Sequence, residues 1–139
     1  MAVDYYTDVL GDLFIHEMNI DFISKSTTLA FGYHPESHQG KTHELKFTGV
    51  VWQEFRNFNC YNVLFDIEVT EDFAEFRSRE KDYLKSMKGY FPIDILNEIE
   101  KDKSLHYFFI GTSVGVEGFV ICKEASVKEI GVGIKKSST

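Results

Sequence analysis

A change of hydrophobic period partway along the chain constrains its fold more than any other feature. Within the runs 14–23, 27–33, 44–55 and 61–69, apolar residues alternate with polar ones, the two-residue period of strands with one wet face. At Thr70 the spacing lengthens to threes and fours, the period of helices. Met18, Ile20 and Phe22 point one way along the first run, and Leu29, Phe31 and Tyr33 along the second. The two are separated by the turn Ser24-Lys25-Ser26, and this pattern predicts an antiparallel hairpin. Glu44 to Phe55 reads as one long strand with Gly49 as a bulge or a close backbone approach. Tyr61, Val63, Phe65, Ile67 and Val69 share a face of the next strand, with Leu64 as the exception.

Two helical segments frame these strands. Tyr5, Tyr6, Val9, Leu10 and Leu13 have helical spacing, which predicts a short N-terminal helix ending near Gly11. Phe73, Phe76, Tyr83, Leu84 and Met87 form the core-facing stripe of a helix capped by Thr70 or Glu71 and stopped at Gly89. A further helix begins at Pro92, with Ile93, Leu96 and Ile99 inward. Leu105 to Ile110 reads as a buried strand, Thr112 to Gly115 as a turn and Val116 to Lys123 as its hairpin partner. Val127 to Ile134 follows as a charged edge strand. Strands and helices in runs, without strict alternation, indicate an α+β fold. The expectation is a mostly antiparallel sheet of about six strands with one or two helices on one face. It is one domain over residues 1–139, with 135–139 as a frayed tail.

Composition narrows the function classes. Net charge is −7, which disfavours nucleic acid and anionic lipid as partners. No apolar run approaches the length of a membrane span, and the first residues lack the basic head and apolar stretch of a signal peptide. Cys60 and Cys122 are far apart and outside any metal-type spacing, so they read as reduced thiols of a cytoplasmic protein. Nothing in the pattern calls for a resident cofactor.

Five residue groups carry candidate chemistry. His34, His38 and His43 lie in a polar stretch, and converging imidazoles are the commonest zinc ligands. Pro35 and Gly40 remove the helix that would align them, so the alternative is a solvated histidine-rich loop. His16 beside Glu17 has the residue types of an acid–base pair, but strand neighbours point to opposite faces. The glycines at 111, 115 and 118 lack the lysine and following helix of a phosphate loop and read as a turn. Residues 66–82 hold seven acids against three bases. That excess is either the wet face of helices or a docking surface for a basic partner, with Glu71, Asp72 and Glu75 at its centre. Trp52, Phe55 and Arg56 are of the types that dominate interface hot spots, though such aromatics more often complete a core.

Three segments, Asp12 to Phe22, Phe47 to Arg56 and Asn62 to Ile67, resemble the YxiG-like family of small bacterial proteins. The resemblance covers about residues 8–70. Some members are encoded in toxin regions beside immunity genes, and the family supplies no active site to carry over. The resemblance implies a non-enzymatic, cytoplasmic immunity-type protein that masks a toxin, the toxin being basic if the acidic surface is the contact. The alternatives are a metal- or small-molecule-dependent enzyme built on the histidines, and a structural subunit of an oligomer.

Overall fold

The computed structural model describes residues 2–37, 39–59, 61–87 and 93–130. Helix α1 (Ala2–Leu10) leads into β1 (Phe14–Asp21) and β2 (Ser26–Gly32). A short 3-10 turn at Pro35–Ser37 precedes β3 (Lys41–Thr48), β4 (Trp52–Arg56) and β5 (Val63–Thr70). Three helices follow, α2 (Phe73–Arg79), α3 (Lys81–Ser86) and α4 (Ile93–Lys101). The chain ends its described part with β6 (His106–Val114), β7 (Glu117–Cys122) and β8 (Glu124–Glu129).

All described strand pairs are antiparallel, and the sheet runs β4-β7-β6-β5-β1-β2-β3-β8. The fold is α+β as expected, but with eight strands where about six were expected, and four α-helices where one or two were. One expected strand divides in two, and the last strand begins earlier than expected. Glu44 to Phe55 is broken at Gly49, whose φ of 64° ends β3 and redirects the chain into β4. The run beyond Val116 breaks at Lys123, so the last strand begins at Glu124. Lys123 N–H donates to Thr48 C=O at 3.0 Å and Val51 N–H to Ile121 C=O at 2.9 Å, so the ladder continues around the corner. Sheets turn such corners where strands bend from one layer to the other. The expected Thr112 to Gly115 turn is shorter, since β6 continues to Val114 and the reversal sits at Gly115 with φ 111°.

The helix count differs for a similar reason. The single expected helix divides at Glu80, which has φ −106° and ψ 24°. Asp72, rather than Thr70 or Glu71, is the N-cap, accepting from Ala74 N–H at 2.9 Å. Gly89 and Pro92, named as helix stop and start, lie outside the described residues, as does 131–139 with the expected tail.

The bends fold the sheet over a shared core. Leu29, Phe31, Leu45 and Phe47 from β2 and β3 pack with Leu64, Ile67, Phe108, Ile110, Val120 and Cys122 from β5, β6 and β7. The Phe47 and Phe108 rings meet edge to face at 5.1 Å. α1 closes this core with Leu10. β1 and β5 share a single described register pair, Phe14 with Val63. Beyond it Thr7 of α1 takes over: its hydroxyl donates to Ile67 C=O at 3.2 Å and accepts from Ile67 N–H at 3.0 Å.

A second core lies on the opposite face of β6 and β7. Tyr107, Phe109, Phe119 and Ile121 pack there with Phe76 of α2 and Ile99 of α4. Trp52 joins them from β4, donating from Nε1 to the Tyr83 hydroxyl at 3.1 Å.

Candidate functional site

The histidine stretch is not a loop throughout, because His43 lies within β3 opposite Phe31. His43 Nδ1 hydrogen-bonds the Thr42 hydroxyl at 2.9 Å. His34 packs its ring against Phe14 and Tyr61 at 5.0 and 5.1 Å, and its Nδ1 accepts from Glu36 N–H at 3.1 Å. His38 lies outside the described residues. Among the described residues, no group of three or more His, Cys, Asp or Glu side chains is placed to hold a metal ion. His16 is held apart from this chemistry, its Nε2 hydrogen-bonded to Tyr33 C=O at 2.7 Å. The absent side chain of Gly32 makes room for that ring, since a Cβ there would stand 2.7 Å from His16 Cε1.

The three central acids have distinct surroundings. Glu71 is exposed and 3.4 Å from His106 Nδ1. Asp72 serves as the cap of α2. Glu75 is 3.9 Å from Arg79 one turn on. Elsewhere in the helical layer Asp82, Asp94, Glu98 and Glu100 are exposed and form no ion pair among the described residues.

The aromatic group does not form one patch. Trp52 packs under the helices and Phe55 into the core between the sheet layers, because odd and even positions of β4 face opposite ways. Arg56 shares Trp52's side, 3.9 Å from Glu80 and 3.8 Å from Glu117. Glu80 is largely buried, and desolvation raises its pKa against the pull of Arg56 and Arg79. Arg79 stacks over Phe109 at 3.9 Å and pairs with Glu68 at 2.7 Å. Arg56, Arg79, Glu80 and Glu117, with Asp66, line a pocket of about 130 Å³ over Gly111 and Gly118.

The structure also brings together residues that sequence reasoning missed. β1 ends at Asp21, so Phe22 leaves the core face predicted for it and is 80% exposed, with Ile23 93% exposed beside it. The tip is rigidly built: Asp21 Oδ1 accepts from Ile23 N–H at 2.9 Å and Ser24 N–H at 3.1 Å, and Lys25 takes φ 58°. These bonds hold the Asp21 carboxyl below its ordinary pKa. A cleft of about 610 Å³ separates this tip from α4. Its apolar lining includes Val51, Trp52, Ile95, Ile99 and Leu105, and Asp21, Glu98 and Asp102 bring carboxylates to it against Lys25. Asp102 is held near pKa 2 by hydrogen bonds from Lys123 and Ser104. The available signal was the pair Phe22-Ile23 standing directly before turn residues, where a strand must already be ending.

Phe65 is a second such case. It is 66% exposed while Leu64 is fully buried, because register shifts around Leu64 and Asp66 reverse the expected alternation. No family model matches this chain, and no curated protein sequence matches it.

Proposed function

We propose that this chain is a non-enzymatic protein-binding domain that masks a basic partner, an immunity-type role against a toxin. One observation carries the reading. Over residues 71–103 the helical layer carries nine acids against seven bases, and Asp82, Asp94, Glu98 and Glu100 stand exposed without ion-pair partners among the described residues, beside the likewise exposed Arg77, Lys81, Lys85, Lys101 and Lys103. With net charge −7, such carboxylates attract a cationic surface and raise its encounter rate. The YxiG-like resemblance of residues 8–70 agrees with this role.

Capture of partners from native lysate at low and high salt, read by mass spectrometry, tests the proposal. One stoichiometric basic protein, retained less at high salt, is the expected result. No such protein at either salt overturns it. Charge reversal at Glu71 and Glu75 together is expected to slow association with that protein, whereas Asp72 is left intact because its loss would uncap α2.

A further inference from the structure

We propose that the cleft between the β1–β2 hairpin tip and α4 is the docking groove for that partner, receiving an apolar side chain flanked by lysine or arginine. This rests on the protein-binding reading above and names its contact chemistry. The tip offers the two most exposed large apolar side chains among the described residues, Phe22 and Ile23. Phe22 lines a cleft whose floor is itself apolar, with Ile95 and Ile99 from α4 beside Trp52, and Ile23 follows it at the tip. An apolar centre inside a polar rim is the arrangement of binding hot spots. The tip is organised in advance, since Asp21 fixes the turn through two backbone N–H groups, so little ordering cost falls on binding.

Charge selects the occupant. Asp102 is paired with Lys123 at 2.6 Å, which leaves Asp21 and Glu98 as the steering anions; among the described residues that line the cleft the cation is Lys25, with Lys46 near Asp21 outside it. A second copy of this chain would set acidic rim against acidic rim. A segment with cations beside its apolar anchor meets complementary charge instead.

The probe is the synthetic peptide Ac-KKGFGKK-NH2, with Ac-EEGFGEE-NH2 as its control, added to the full chain. Trp52 is the only tryptophan and lines the cleft, so its fluorescence reports occupancy, and amide NMR shifts locate it. The basic peptide is expected to shift both signals, with the amide changes centred on Phe22, Val51 and Glu98, and to lose affinity with added salt. The double variant Phe22→Ser/Ile23→Ser is expected to weaken binding by about tenfold or more. That tip is solvent-exposed, and a matching unfolding midpoint confirms that the variant is folded.

Equal binding of both peptides, or shifts centred elsewhere, overturns the groove. So does concentration-dependent self-association abolished by the tip variant, which makes a second copy the occupant. The lysate capture separates the two levels. If the tip variant retains the basic partner at full strength, the groove is wrong and the protein-binding reading stands. If the unaltered chain captures no partner, the broader reading fails.

Discussion

Thr7 is the residue on which the seam between β1 and β5 depends. Its hydroxyl satisfies both backbone groups of Ile67, a fully buried position. Thr7→Val keeps the shape and removes both bonds. It is expected to cost about 1–3 kcal/mol, because a buried backbone group then lacks its partner. Urea unfolding against Thr7→Ser, which retains the hydroxyl, checks this. Two carboxyls give opposite pH responses. Asp102 has its pKa lowered from 3.8 to about 2, so its stabilising contribution is present above the unfolded value and is lost as pH falls toward 2. Lys123→Met is expected to return its NMR-measured pKa toward 3.8. Glu80 has its pKa raised above 4.5 by burial, so its contribution is present below that value and is lost as pH rises through the folded value. Glu80→Gln is expected to flatten this part of the stability–pH profile. An unchanged slope would show that the pull of Arg56 and Arg79 cancels the desolvation, and a slope changed in the opposite sense that it outweighs it.

At the scale of elements, the bend between β3 and β4 depends on Gly49. Its φ is 64°, and a Cβ there would lie 2.5 Å from Lys123 Cγ. Gly49→Ala is expected to destabilise by about 1–3 kcal/mol, read from a lowered urea midpoint at unchanged slope. This bend also marks the limit of what the pattern revealed. Alternation located most strands and the core residues Leu29, Phe31, Leu45 and Phe47, since a two-residue period follows directly from burial on one face. It did not reveal that β3 and β4 pair with different strands, because their partners β8 and β7 lie far later in the chain. Gly49 was legible as an irregularity, but its consequence required those partners. The acids of the helical layer were legible from composition. The cleft was not, because it joins a hairpin tip to a helix far away in sequence, and Phe22 reads as core until the strand's end is known.

For the whole molecule, the decisive fact is that β6 and β7 serve two cores at once. Phe108, Ile110, Val120 and Cys122 face the folded-over sheet, while Tyr107, Phe109, Phe119 and Ile121 face the helices. Neither core can lose these strands without exposing the other. Burial accordingly pushes the Cys122 thiol up to about 12, leaving it a packing group rather than a nucleophile. The shared strands predict a single cooperative transition, although helices and sheet layer look separable. Ile99→Ala truncates a buried side chain of α4 and is expected to cost about 2–5 kcal/mol. Trp52 reports the helical layer and far-UV circular dichroism reports the whole backbone, so both traces should move to lower urea together. A Trp52 transition that precedes the dichroism would mean that the helices detach first. The β6–β7 pair would then hold its sheet face without them, and the proposed groove, which needs α4 as its wall, would be lost before the sheet unfolds.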